Sequence, residues 1–176
     1  MAANFTTDGA DKIRGPGHVL QTLSSNYNSQ TEASSQVQVC DIELTTKVQN
    51  SKFFYIFQAC IGGLGDADNA KFKITKSAGS TSGNTDYIPA DNRGAGTQGQ
   101  TNGFVFFQDV MPTSASQSQY PVYTFSLSDL IVSTHSAAAV LSFGVWIEGG
   151  CWINRSSDRI NQETGITALT IMEIGV

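Results

Sequence analysis

Apolar residues in this chain return at every second position, in one segment after another, and never at the three-to-four spacing of an amphipathic helix. In "VYTFSLSDLIV", Tyr123, Phe125 and Leu127 alternate with Val122, Thr124 and Ser126; in "AVLSFGVWIEGG", Leu141, Phe143, Val145 and Ile147 mark one face. A period of two sends neighbouring side chains to opposite faces of a strand. The chain is therefore committed to sheets. Its closing segment, "GITALTIMEIGV", adds a further constraint. One face carries Ile166, Ala168, Thr170, Met172 and Ile174, the other Thr167, Leu169, Ile171 and Glu173, so large apolar groups stand on both. A sheet with one face in water reads more cleanly than that. Both faces of this strand require a cover, supplied by the rest of the chain or by another copy of it.

Other segments fill in the same picture. "HVLQTLSSNY" opens the domain, with Val19 and Leu23 opposite Leu20. In "VQVCDIELTTKV" the apolar phase changes between Val39 and Cys40, the mark of a β-bulge or of a strand covered on both faces. "FFYIFQACI" is continuously apolar and predicts a central, fully covered strand. In "AKFKITK", Phe72 and Ile74 face inward while Lys71, Lys73 and Thr75 predict a wet outer side. "FVFFQDVM" and "CWIN" are further strands, and polar stretches at 77–103, 111–120 and 155–165 read as long exposed loops or crossovers. About eight or nine strands with long crossovers predict an all-β, antiparallel β-sandwich of jelly-roll (TNF-like) type. Residues 1–17, closing on the breaker Gly15-Pro16-Gly17, form an extended N-terminal arm, and residues 18–176 form the jelly-roll domain.

Composition agrees. Ser, Thr, Asn and Gln make up 58 of 176 residues, while only 14% are charged, well below the ordinary quarter or so. The net charge is −5 and the ten Lys and Arg are scattered, so no electrostatic footprint for nucleic acid exists. The longest apolar runs, "FFYIF" and "AAAVL", span five residues, against about twenty for a membrane helix. No secretory h-region opens the chain, so the product is expected to stay in the cytoplasm where it is made until lysis or assembly. Cys40, Cys60 and Cys151 are odd in number and widely spaced, which reads as three buried reduced thiols, not a disulfide framework or zinc site.

Chemistry is sparse. His18 and His135 are the only histidines, no G-x-S-x-G elbow accompanies the 19 serines, and no catalytic residue is assigned. Asp66, Asp68 and Asn69 lie in a stretch without the calcium-loop spacing and are read as turn formers. Neither a metal nor another cofactor is expected, and the chain is read as a non-enzyme. Asn154-Arg155-Ser156 matches a glycosylation acceptor, a pattern common by chance. Tyr87, Tyr120 and Tyr123, in or beside polar loops, either contact a partner or pack back on the domain.

The order of three short pieces carries a resemblance. "GPGHVLQTL" (Pro16, Gly17, Val19, Leu20, Gln21), "CWINRSS" (Ile153, Asn154, Arg155, Ser156) and "GITALTIMEIG" (Thr167, Leu169 through Glu173, Ile174) resemble, in that order, small virion proteins of tailed phages infecting cyanobacteria and other aquatic bacteria. Ala168 departs from the β-branched residue usual there, and Cys151-Trp152 from the commoner pair before the turn. The resemblance implies a jelly-roll phage structural protein and a homotrimer. The expectation is a capsid decoration (cement) protein on the phage head surface, bridging capsomers of the major capsid protein, with other virion proteins as further contacts and no nucleic-acid or membrane partner. Thr167, Leu169 and Ile171 are expected at the trimer interface, with Ala168, Met172 and Ile174 filling the sandwich, the exchanged assignment of the two faces being the alternative; Phe5, Ile13 and Arg14 are expected to dock the arm on the capsid. The alternative is the receptor-binding head of a tail or head fibre, recognising a cell-surface glycan through the loops at 77–103 and 111–120.

Overall fold

The computed structural model describes residues 6–8, 12–14, 16–63, 69–78, 87–88, 105–108, 122–149, 151–155 and 165–176. Within the arm, β1 (Thr6–Asp8) pairs with β2 (Lys12–Arg14) as an antiparallel ribbon. The arm thus contains two short extended strands paired with each other. The body continues with β3 (Val19–Tyr27), β4 (Thr31–Glu32), β5 (Val37–Thr45), β6 (Lys52–Gly63) and β7 (Asn69–Ala78). Then follow β8 (Tyr87–Ile88), β9 (Val105–Gln108), β10 (Val122–Val132), β11 (Val140–Glu148), β12 (Cys151–Ile153) and β13 (Thr167–Ile174). The described residues contain no helix.

The pairing order is that of a long antiparallel hairpin rolled on itself. The first body strand, β3, pairs with the last, β13; β5 pairs with β11, β6 with β10, and β7 with β8 and β9. Cross-links between β13 and β6 and between β11 and β7 turn these four pairs into two sheets. One runs β3-β13-β6-β10, with β12 and β4 continuing beside the far end of β6; the other runs β5-β11-β7 with β8 and β9 along its edge. This is an antiparallel jelly roll.

Alternation decides what lies between the sheets. Phe53, Phe57 and Ile61 of β6 and Leu169 and Ile171 of β13 meet Phe72 of β7 and Phe143, Val145 and Ile147 of β11, each at most 2% exposed. Ring pairs cross the sandwich, Phe53 on Phe143 at 5.2 Å and Phe57 on Phe72 at 5.8 Å between centroids. Each such side chain contributes about 1.5–3 kcal/mol by leaving water. The phase change in β5 is a bulge: Val145 pairs with Cys40 and Trp146 with Gln38, leaving Val39 as the extra residue. Val39 and Cys40 are consequently both buried.

Two expectations fail. β6 is central in its sheet, flanked by β13 and β10, yet it is fully covered on one face only: Ile56 is 39% exposed and Phe54 half-buried. Conversely, the outer side of β7 is not wet at Lys73 and Thr75. Lys73 and Thr75 are buried, Lys73 Nζ donating to Gln36 Oε1 at 2.8 Å and lying 5.4 Å from the Trp146 ring. Thr75 Oγ1 bonds to Gly144 O at 3.3 Å and accepts from Trp146 Nε1 at 3.3 Å. A lysine marks a wet face only when its ammonium lacks partners within the fold, and here it has them.

Candidate functional site

The terminal strand answers the question of its two covers. Thr167, Leu169, Ile171 and Glu173 point into the sandwich and are fully buried within one chain, whereas Ala168, Thr170, Met172 and Ile174 lie half-buried on the outside. The expected faces are therefore exchanged: Thr167, Leu169 and Ile171 are core residues and are closed to a neighbouring subunit. Their inward phase follows from register, which sets Leu169 beside Phe57 and Ile171 beside Tyr55, both buried.

The outer face gains an apolar row by the same register. Met172 lies beside Phe54, and Phe54 beside Leu130. Thr170 and Ile56 form the next row, and Val132 (74% exposed) and Ile174 border the patch on either side of Lys52. Beyond it the face is neutral and polar, with Thr22, Ser24, Ser126 and Ser128 exposed. Lys52 is the one charged side chain among the described outward positions of β3, β13, β6 and β10. The opposite sheet presents Asp41 and Glu43 to solvent. Across β3, β13, β6 and β10 the described outward positions of this acidic protein thus include no carboxylate and expose Ile, Leu and Val, the composition of a surface that associates, while Glu32 of β4 stands exposed at the far end of the same sheet.

Three polar side chains at one end of the sandwich are hydrogen-bonded to one another. Ser51 Oγ lies 3.2 Å from His135 Nε2 and donates to Glu173 Oε1 at 2.8 Å. These three residue types suggest a nucleophilic triad, but the carboxylate takes the serine proton directly and does not orient the imidazole. Ser51 is also fully buried. Among the described residues no three His, Cys, Asp or Glu side chains converge as metal ligands. Of the suspected turn formers, Asn69 opens β7 while Asp66 and Asp68 lie outside the described residues.

The pieces that carry the family resemblance are pins at the two ends of β13. At one end Gly17 N–H donates to Gly175 O (2.8 Å) and Gly175 N–H to His18 O (2.9 Å), while Gln21 Nε2 donates to Glu173 Oε2 at 2.6 Å. At the other, Asn154 is fully buried with φ +62°. Its Nδ2 donates to Tyr27 O at 2.6 Å and Ser29 O at 3.2 Å, and its Oδ1 accepts from Thr167 Oγ1 at 2.8 Å. A glycan requires that same nitrogen, so the acceptor pattern at Asn154-Arg155-Ser156 is not a usable site in the folded chain. The Arg155 guanidinium lies 3.8 Å from the centre of the Trp152 ring, a cation–π contact. Gly165 completes this end: a Cβ there would overlap Cβ and Sγ of Cys60.

Of the arm residues, Ile13 and Arg14 lie in β2, and Phe5 lies outside the described residues. Most of the two loops assigned to receptor contact, with Tyr120, also lies outside them; Tyr87 is in β8 and Tyr123 in β10. No helix among the described residues is long and apolar enough to cross a membrane. Comparison with protein families and with curated proteins finds no match to this chain.

All three cysteines are free. Desolvation pushes the Cys151 thiol up to about 12. Cys40 is pushed up to about 11, again chiefly by desolvation, with the Ser25 and Leu169 hydrogen bonds partly offsetting it and Asp41 adding to it. Cys60 is only half-buried. A thiol-labelling reagent at mildly alkaline pH is expected to modify Cys60 alone in the native protein and all three in denaturant, read by intact mass. Because Cys40 and Cys151 titrate higher folded than at the unfolded value of 9.0, their stabilisation is complete below that pH and is lost as pH rises through the alkaline range. The slope is about 1.4 kcal/mol per pH unit per thiol. Native labelling of Cys151 as fast as Cys60 would contradict the burial.

Proposed function

We propose that this chain is a phage virion structural protein, a homotrimeric capsid decoration protein that bridges capsomers of the major capsid protein and stabilises the head. The observation that carries the reading is the apolar, carboxylate-free outer face of β3-β13-β6-β10. Copies of a chain with net charge −5 repel one another over most of their surface, and this is the face on which they approach without that repulsion. The interface accordingly moves to Phe54, Ile56, Leu130, Met172 and Ile174, on the side of the terminal strand opposite to Leu169. The trimeric state and the capsid partner rest on the sequence resemblance, as does the docking role of the arm with Phe5, Ile13 and Arg14. The work is mechanical, needing neither cofactor nor catalytic residue: each junction gains buried area and resists internal pressure from packaged DNA.

Sedimentation tests the self-association. The wild-type chain is expected as a trimer at micromolar concentration, and Ile56→Asp as a folded monomer, since Ile56 is 39% exposed and its replacement leaves the sandwich intact. A monomeric wild type, or a trimer unaffected by Ile56→Asp, would remove the outer face from the proposal. Copy number in purified virions tests the location. A ratio near one to one with the major capsid protein is expected; a few copies per hundred would instead place the chain at a tail or vertex as a fibre head.

A further inference from the structure

The end of the sandwich where β13 finishes holds two turns, 46–51 and 133–139, clamped together. Thr46 N–H donates to Ala139 O (2.9 Å) and Ala138 N–H to Thr46 O (3.0 Å). Asn50 N–H donates to His135 O (3.1 Å), while His135 N–H donates to Asn50 Oδ1 (3.0 Å). Glu173 enters this clamp from β13, fully buried. Its Oε2 accepts from Gln21 Nε2, and its Oε1 accepts from Ser51 Oγ (2.8 Å) and the backbone N–H groups of Lys47 (2.8 Å) and Val48 (3.4 Å). Four donors around one carboxyl suit its ionised form, and a buried ion requires a counter-charge or full hydrogen bonding.

Counting protons locates the counter-charge. The single Ser51 hydroxyl proton is committed to Glu173, so toward His135 Nε2, 3.2 Å away, Ser51 Oγ presents only lone pairs. The same Nε2 lies 3.2 Å from Ser51 O, and Nδ1 lies 3.0 Å from Ser136 O. Every hydrogen-bonding partner of the ring is then an acceptor. A neutral imidazole has one N–H and would set its remaining lone pair against an oxygen. We infer that His135 is held as an imidazolium and forms with Glu173 a buried charge pair relayed through the Ser51 hydroxyl, a proton-dependent latch joining the 46–51 and 133–139 turns.

Other groups facing the ring do not supply this charge balance. Phe53 stacks on it at 5.4 Å between centroids, and Asn50 and Gln21 are neutral. Lys47 brings only its backbone N–H into the network, its side chain being exposed; Lys52, half-buried, belongs to the outward phase of β6. Loss of a ring proton would set a bare nitrogen against the carbonyl oxygen of Ser51 or Ser136 and weaken the clamp. The latch therefore stabilises the fold while the ring is charged, and that stabilisation is lost as the ring gives up its proton. Val132 and Ile174, which border the apolar outer face, flank the clamp, so its loosening would reach the associating surface without depending on what that surface binds.

Long-range proton–nitrogen NMR on the full chain with labelled histidine tests the latch directly, the exposed His18 reporting in the same spectrum. At neutral pH both ring nitrogens of His135 are expected to be protonated, and Glu173→Gln is expected to demand at least about a tenfold higher proton concentration for the same state. Should that variant fail to fold, Ser51→Ala, which cuts the relay with a smaller change, is expected to shift the titration in the same direction. A bare ring nitrogen in the wild type at neutral pH would overturn the inference, as would an unshifted titration in the variant that folds. A bare Nε2 would mean that the Ser51 proton points to a neutral His135, and an unshifted titration that Glu173 does not hold the charge of the ring.

Discussion

Leu169→Asp is expected to prevent folding altogether. Leu169 is fully buried in the sandwich, between Ser25 of β3 and Phe57 of β6 in register. The substitution forfeits about 1.5–3 kcal/mol of apolar burial. It also places a carboxyl where no donor waits, which costs several kcal/mol more whether the group ionises or takes up a proton. Together these rival the roughly 5–15 kcal/mol that a domain has in total. Circular dichroism and soluble yield read the outcome. A cooperative melt within a few degrees of wild type would mean that Leu169 faces outward after all, and the inside and outside of the terminal strand would have to be exchanged again. Paired with Ile56→Asp, the experiment separates an inward position from an outward one on adjacent strands of the same sheet.

That terminal strand also shows where reading by pattern stops. The period of two made the strands legible, and the phase slip at Val39-Cys40 announced its bulge. Leu141, Phe143, Val145 and Ile147 were assignable to the core because Ser142 and Gly144, at the alternate positions between them, are small or polar. In "TALTIMEI" both phases carry apolar side chains, so the choice falls to the one charged residue, and a glutamate ordinarily marks the outside. Here it marks the inside, because Gln21, Lys47 and Ser51 deliver donors from 152, 126 and 122 residues away. No local pattern contains that information. The same reason hides the buried Lys73, whose partner Gln36 lies on another strand's approach, and the association of Ser51 with His135. The outer apolar rows were invisible for a related reason: Phe54, Leu130 and Met172 become neighbours only when three strands from different parts of the chain are placed in register. Sequence resemblance, for its part, fell on Asn154 and on the Gly17–Gly175 contact, which staple the last strand and carry no chemistry of their own.

Asn154→Ala is expected to be the most damaging single truncation outside the apolar core. The side chain makes three hydrogen bonds, to Tyr27 O, Ser29 O and from Thr167 Oγ1, and the residue is fully buried. Removing one partner from a buried hydrogen bond costs about 1–3 kcal/mol, so the loss here is about 4 kcal/mol even if water reaches one of the three groups. Backbone conformation adds to it: at φ +62° an alanine is strained by about 1–2 kcal/mol, more than an asparagine, whose short polar side chain tolerates this region. For a chain of this length a melting temperature falls by roughly 2–4 °C per kcal/mol, so a drop of roughly 10 °C or more is expected. Asn154→Gly separates the two contributions, because glycine adopts the conformation freely but restores no hydrogen bond. If the hydrogen bonds dominate, the glycine variant recovers only the strain and remains far below wild type; recovery to near wild type would assign the pin to backbone geometry. Asn154→Asp supplies the third comparison. It keeps an acceptor for Thr167 but sets an oxygen against the Tyr27 and Ser29 carbonyls, so it is expected to melt no higher than the alanine variant despite its closer shape.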